Sequence, residues 1–302
     1  DCTLHGAGRN ATQREGPDVM PAARADRTRR ARVVVTDHGF GDLDLERAVL
    51  APSGAEVVDA RCATRDDLLR HAPEADALLV QWARIDAGVV ERLARCRGVV
   101  RNGSGLDNLD LEACARRGIP VCNVPDYCID EVADHALALA LSLARQLVAL
   151  DRRLRSGRWK LTPDAPMPAF RGMTFAVAGF GRIGREVLRR AAPFGFRRAA
   201  YDPLLPEETF AREEVDRLSL DRLFAEADIL SLHLPLTPET RRLVDARRLT
   251  GMKRTAVLVN TSRGGLVDHH ALAEALRSGA IAAAGLDVFD PEPLPEGHPL
   301  LS

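Results

Sequence analysis

Gly179-Phe180-Gly181-Arg182-Ile183-Gly184 is a GxGxxG run whose surroundings give it a chemical meaning. The apolar stretch Phe175-Ala176-Val177-Ala178 leads into it, a helical pattern leaves it, and Asp202 closes the next apolar stretch 18 residues after Gly184. A dinucleotide needs this order. The first glycine permits a tight turn, the second lets the backbone approach a pyrophosphate, and the third lets helix and strand pack closely, while free amides at the helix start face the phosphates. Gly179, Gly181, Arg182, Ile183 and Gly184 are therefore expected at the cofactor. An acid at 202 suits ribose hydroxyls and repels a 2′-phosphate, so NAD is expected rather than NADP. No basic residue follows in Asp202-Pro203-Leu204-Leu205, although Arg197 and Arg198 stand upstream. The competing reading is a glycine-rich turn in some other α/β domain.

A second group able to do chemistry is Arg263, in a Thr-Ser-Arg-Gly-Gly turn after the apolar run Ala256-Val257-Leu258-Val259. It stands where α/β sites open, at the carboxyl end of a strand, and a guanidinium fork can hold a carboxylate through two parallel hydrogen bonds. A solvated turn residue is the alternative, since the 42 basic residues include only two lysines, Lys160 and Lys253, a skew that reads as codon usage. Glu292, between two prolines, is on its own terms an exposed loop acid. The six cysteines (Cys2, Cys62, Cys96, Cys114, Cys122, Cys128) form no CxxC and have no histidine at metal-ligand spacing, so reduced thiols in a cytoplasmic protein are expected and no metal is.

The elements that would hold these residues follow from periodicity. From residue 32 the chain alternates strand and helix: strands at 33–36, 56–59, 77–80, 98–101 and 120–123, helices at 44–50, 66–71, 87–95 and 110–117, the last closed by Gly118. Residues 130–155 contain no Gly or Pro and are rich in Ala and Leu, which predicts one helix of ~39 Å, apolar around nearly its whole circumference. Such a helix needs cover on every side, and a homodimer is expected on that ground. A second alternation runs from Met173 through 185–190, 199–201, 220–227, 229–234, 240–249, 256–260, 269–278 and 284–289. Thr237-Pro238-Glu239-Thr240 starts one of its helices; Asp268 caps another, which Gly279 ends. The fold class is α/β: two doubly wound parallel-sheet domains, Rossmann- or flavodoxin-like, joined by a long helix.

Length and composition agree. A chain of 302 residues suits two domains, and 46% hydrophobic with 28% charged residues is ordinary globular usage. With 42 basic against 43 acidic side chains the formal charge is −1, which speaks against a nucleic-acid partner held by electrostatics. The longest apolar run, 136–144, is short of the ~18 residues of a membrane span. Residues 1–30, with Arg, Gly and Pro but no apolar periodicity, are expected to be a disordered tail; their scattered acids are unlike a targeting presequence.

Several segments together resemble the D-isomer-specific 2-hydroxyacid dehydrogenases. They are Asn102-Gly103-Ser104-Gly105-Leu106-Asp107-Asn108, Cys122-Asn123-Val124-Pro125, the glycine fingerprint, His233-Leu234-Pro235-Leu236-Thr237, Val259-Asn260-Thr261-Ser262-Arg263-Gly264-Gly265, and Leu286-Asp287-Val288-Phe289-Asp290-Pro291-Glu292-Pro293. Within that family the chain is most similar to the phosphoglycerate dehydrogenase-like members and the bacterial relatives of the C-terminal binding proteins. The resemblance implies a substrate domain at 31–128, completed in relatives by a returning C-terminal segment, an NAD-binding domain at 129–297, and the start of that segment at 298–302.

The implied reaction is reversible hydride transfer between nicotinamide and C2 of a 2-hydroxy acid. Arg263 matches the arginine that binds the substrate carboxylate and polarises the C2 oxygen, and Glu292 the glutamate that orients a proton-transferring histidine. That histidine lies in relatives in a Thr-Pro-His segment roughly twenty residues after the glutamate, beyond Ser302. His298 reads as a surface loop residue, His233 as structural or near the cofactor, and His269 and His270 as the start of a helix. The amides of Gly103, Ser104 and Gly105 are expected at the substrate carboxylate, with Ser104 reaching the cofactor. Pro235 and Thr240 would pass the adenosine side, Thr261 and Ser262 the nicotinamide side, and Asp287 would accept from the carboxamide, its alternative being a strand-end acid. Gln81 and Trp82 end a strand of the first domain and would set side-chain preference; Trp82 as a core residue is the alternative.

The first functional expectation is thus an NAD-dependent oxidoreductase acting on a small 2-hydroxy or 2-oxo acid, the 302 residues being an incomplete copy of weak or no activity. An NADH-sensing binding protein, like the corepressor relatives on the same fold, is the second, and a degenerate pseudoenzyme the third. 3-Phosphoglycerate is disfavoured as substrate, because no appended regulatory domain and no cationic cluster near Gln81 is evident.

Overall fold

Val33, Val34 and Val35 are β-branched and buried, as a parallel strand covered on both faces must be. They form β1 (Arg32–Val35), followed by α1 (Asp44–Leu50), β2 (Glu56–Asp59), α2 (Arg65–His71), β3 (Ala77–Val80), α3 (Ala87–Arg92), β4 (Val99–Arg101), α4 (Leu111–Arg116) and β5 (Val121–Asn123). All pairings are parallel, in the order β2-β1-β3-β4-β5. The helix starts follow the sequence chemistry: Thr64 and Asp67 form a reciprocal cap on α2, and the Asp86 and Asp110 carboxylates accept the third N–H of α3 and α4. The computed structural model describes residues 29–159 and 166–301, so nearly all of the expected tail lies outside the described residues.

The chain divides into two units between Tyr127 and Cys128. The second comprises α5 (Ile129–Ala144), α6 (Leu147–Arg155), β6 (Thr174–Ala178), α7 (Arg182–Ala191), β7 (Arg197–Tyr201), α8 (Glu207–Arg212), β8 (Asp216–Arg217), α9 (Leu220–Glu226), β9 (Ile229–Leu232), α10 (Ala246–Thr250), β10 (Val257–Asn260), α11 (His269–Arg277) and β11 (Ala283–Leu286). Its six parallel strands run β11-β10-β9-β6-β7-β8. Counted from β6 this is the 3-2-1-4-5-6 order of dinucleotide-binding sheets. Side-chain alternation splits the interior into two layers. Phe175, Val177, Ile229, Val257 and Val259 meet α5 and α7 on one face, and Ala176, Ala178, Leu230, Leu232 and Leu258 face α9, α10 and α11 on the other.

Three expectations change. The helix expected over 130–155 is two helices meeting at 56°. Gln146 is left-handed at φ 53°, which an α-helix cannot continue through, and the Arg145 guanidinium beside the break reaches the Pro168 carbonyl and the Phe170 ring. Nor is the cover all-round within the unit: α5 buries Ala133, Ala136 and Ala140, while Leu147, Val148 and Leu154 of α6 are exposed. Thr237 to Thr240 do not open a helix. The Thr240 hydroxyl donates to the Pro235 carbonyl at 2.7 Å and accepts from the Thr237 N–H at 2.8 Å, local bonds that compete with a helical backbone. Arg242 is then left-handed, and the helix starts only at Ala246, capped by Asp245. Between Asp202 and Leu220 the structure adds α8 and the two-residue edge strand β8, too short to leave a pattern. Among the described residues no single helix is long and apolar enough to cross a membrane.

Candidate active site

The turn from β6 into α7 lies over the end of β9. Gly179 has φ +96°, and a Cβ there would lie 2.4 Å from the carbonyl oxygen of His233. A Cβ at Gly184 would lie 2.1 Å from the carbonyl oxygen of Gly179, so strand and helix touch through glycine alone. Gly181, the cap of α7, is exposed and a Cβ there would meet nothing within 4 Å; this is the open side of the turn, where Arg182 and Ile183 follow. The Asp202 carboxylate bridges outward from β7, one oxygen accepting from the Phe180 N–H and the other from the Leu204 N–H, each at 3.0 Å. A carboxylate has about four acceptor sites, so capacity for ribose hydroxyls remains. Arg197 and Arg198 are spent elsewhere: Arg197 pairs with Asp216 and Glu226, and Arg198 with Glu214.

The β10 turn is tied by a fully buried side chain that its motif alone does not single out. Asn260 Nδ2 donates to the Arg263 carbonyl at 2.9 Å while its Oδ1 accepts from the Ser262 N–H at 3.1 Å. The Ser262 hydroxyl donates to the Leu232 carbonyl on β9, and Thr261 Oγ1 is buried with no partner. The next turn is pressed against this one, since a Cβ on Gly264 would lie 2.0 Å from the carbonyl carbon of Phe289. Glu292 accepts the Phe289 N–H at 2.6 Å. The turns carrying Arg263 and Glu292 are thus in direct contact through Gly264 and Phe289. Asp287 follows β11, and its Oδ1 lies 3.4 Å from His135 Nε2 on α5. Pro235 and Thr240 close one loop through their mutual hydrogen bond.

The histidines have defined settings. His233 shares a hydrogen bond with Ser231 at 2.9 Å, and burial pushes its imidazole down to about 4, so it is neutral near pH 7. His298 stands in a loop, partly buried, its ring 5.8 Å from His269 and 5.4 Å from His270, and its Nδ1 accepts the Leu300 N–H. His269 is buried edge-on to Phe289, held below its ordinary range by burial and then by the neighbouring His298.

Gln81, Trp82, Gly103, Ser104 and Gly105 belong to the first unit, at the carboxyl ends of β3 and β4. The Asp37 carboxylate, at the end of β1, accepts the N–H groups of Gln81, Trp82 and Ala83 and the Thr36 hydroxyl, a positioning role that no spacing announces. Gln81 Oε1 accepts the Gly39 N–H at 2.9 Å. Trp82 is 62% exposed and so is not a core residue. Asn123 Nδ2 donates to the Ser104 carbonyl at 2.7 Å, holding the glycine turn against β5. The Gly103 N–H is used on the Arg101 carbonyl, which leaves the amides of Ser104 and Gly105 as the donors of that turn.

Residues 137–302 match the family model described as the D-isomer specific 2-hydroxyacid dehydrogenase, NAD binding domain. The chain belongs to this family. It is 46% identical over 230 residues to a D-3-phosphoglycerate dehydrogenase of Mycobacterium tuberculosis, covering 76% of this chain and 43% of that protein. The chain thus spans under half the length of that curated relative. A glyoxylate reductase of Korarchaeum cryptofilum is 42% identical over 78% of this chain and 72% of its own. Among solved structures, the TT0316 protein from Thermus thermophilus superposes with a TM-score of 0.76 at 41% identity, over 89% of this chain and 86% of that one. NAD(H) is the cofactor of this domain, and the residues fit it: glycine surfaces that a Cβ would fill, an acid with spare acceptor sites, and the orphaned Thr261 hydroxyl between the ends of β9 and β11.

Proposed function

We propose that the protein transfers hydride between nicotinamide and C2 of a small D-2-hydroxy or 2-oxo acid. Bound NAD(H) supplies the hydride acceptor or donor. Arg263 binds the substrate carboxylate and polarises the C2 oxygen; its carbonyl is fixed by Asn260, its turn is braced on Phe289, and its Nη1 donates to the Ser262 carbonyl at 2.7 Å. Glu292 is held beside that turn by the Phe289 N–H. Within the first unit, the amides of Ser104 and Gly105 are donors of the kind a carboxylate accepts, and Asp37 fixes Gln81 and Trp82 at the end of β3. The tethered Arg263 turn is the observation that carries this reading.

NAD is preferred to NADP, because Asp202 repels a 2′-phosphate and Arg197 and Arg198 are engaged in ion pairs. None of the described histidines is bonded to Glu292, so proton transfer by these residues alone is slow, and a positioned acid or base is worth ~10²–10⁴ in rate. The exposed Leu147, Val148 and Leu154 of α6 favour a homodimer, and the five described free thiols favour a cytoplasmic setting.

The test is a panel of 2-oxo acids that includes glyoxylate, hydroxypyruvate and 3-phosphohydroxypyruvate, followed by loss of NADH absorbance in wild type and Arg263→Ala. Turnover of at least one acid that Arg263→Ala abolishes while NADH binding persists is expected. NADH binding without turnover of any acid would instead favour a sensing role.

A further inference from the structure

The geometry points to His135 as a positioning residue for Asp287, holding that carboxylate ready for the nicotinamide carboxamide. The inference rests on the cofactor reading above and adds a residue to it.

The helix α5 runs along β11 with one stripe of side chains, His135, Leu139 and Leu143, spaced four apart and therefore on one face. Gly285 makes the approach possible: a Cβ there would lie 2.9 Å from Leu143 Cδ1 and 3.3 Å from Leu139 Cβ. Two residues further along the chain stands Asp287, and there the stripe presents His135, with Nε2 3.4 Å from Oδ1. The same helix is clamped on its other side, where Arg190 of α7 pairs with Asp130 and Asp134. His135 is thus set by packing along α5.

Asp287 is fixed at its backbone as well, its N–H donating to the Asn260 carbonyl at 3.0 Å. His135 stands against Oδ1 alone, so a polar contact there leaves Oδ2 with its lone pairs. A carboxamide presents N–H donors, which Oδ2 can accept. Without His135 the half-exposed carboxylate would turn among rotamers, and its orientation would have to be fixed when the cofactor binds.

Calorimetric titrations of wild type, His135→Leu, His135→Gln and Asp287→Asn with NADH, with ADP-ribose and with the 3-acetylpyridine analogue of NADH test this. The analogue lacks the carboxamide N–H donors and ADP-ribose lacks the whole ring. His135→Leu should weaken NADH about threefold to fivefold, the upper range for an exposed polar pair, and leave ADP-ribose and the analogue unchanged. His135→Gln, which keeps an N–H donor, should recover most of the loss, and adding His135→Leu to Asp287→Asn should cost nothing more. Equal weakening of NADH and ADP-ribose by His135→Leu, unchanged NADH affinity, or loss of the fold in either variant would overturn the proposal. Failure of wild type to bind ADP-ribose would overturn the cofactor reading itself.

Discussion

Asn260 Nδ2 donates to the Arg263 carbonyl across 2.9 Å from a side chain with no exposed surface, while its Oδ1 holds the Ser262 N–H. One amide therefore satisfies two backbone groups and fixes the turn from which the Arg263 guanidinium leaves. Asn260→Ala strands both groups, at about 1–3 kcal/mol for a buried unsatisfied group. Asn260→Asp keeps the acceptor but sets a carboxylate oxygen against the carbonyl. Both variants should lower kcat/KM about 100-fold, the scale for a misplacement near 1 Å, with NADH affinity within about twofold of wild type. Steady-state kinetics beside NADH titration and thermal melts separate the two effects.

Gly184 and Gly181 belong to one fingerprint but answer to different demands. A Cβ at Gly184 would strike the Gly179 carbonyl at 2.1 Å, so Gly184→Ala must part the helix from the strand. It should cost about 1–3 kcal/mol, as overpacking does, and abolish NADH binding. A Cβ at Gly181 meets nothing within 4 Å, so Gly181→Ala should melt like wild type and still lose most NADH affinity, because only the ligand needs that space. Melting curves with parallel NADH titrations distinguish the pair.

Much of this architecture is legible in the sequence because it is periodic or punctuated. The strands read as apolar, often β-branched runs, one helix start as Asp268, and the glycine turn as glycines at fixed spacing before Asp202. What escaped depends on backbone breaks and side-chain bonds, some local and some between distant segments, that no spacing announces. The break at Gln146 has no glycine or proline to mark it, and the Thr237 loop closes by side-chain bonds that mimic a cap. Asp37 and Asn260 are ordinary polar residues in the sequence, and their roles exist only once β3 and the Arg263 turn are folded against them. His135 belongs to the same class, since its partner lies more than 150 residues away.

Asp202 stands at the end of β7 with one oxygen on the Phe180 N–H and one on the Leu204 N–H. On the cofactor assignment proposed for Asp202, Asp202→Ala removes the acceptors for the ribose and the charge that repels a 2′-phosphate. The ratio of NADP to NAD affinity should rise at least about tenfold, since a like-charge contact costs several kcal/mol. Relief of that repulsion is the source of the rise, and Arg197 and Arg198, which remain in their ion pairs, add no phosphate contact of their own. Adding Leu204→Arg, at an exposed position beside Asp202, should strengthen NADP in absolute terms. Titration of both cofactors against wild type and the two variants checks the order.

His233 couples acid stability to the cofactor domain. Burial pushes its imidazole from 6.5 to about 4, so in the native state it stays neutral where the unfolded chain takes up a proton. The unfolded state binds more protons between those two values, and stability therefore falls as pH drops from 6.5 toward 4 and levels off below. At 1.36 kcal/mol per unit the loss is at most about 3 kcal/mol. His233→Gln removes the titrating group, so its melting temperature should fall less than that of wild type between pH 7 and pH 5. His269, also held low by burial, leaves a residual slope of the same sign in the variant. Identical pH slopes for wild type and His233→Gln would show that the imidazole charges in the native state without resistance. The site around Ser231 and Gly179 would then be wetter than its packing indicates.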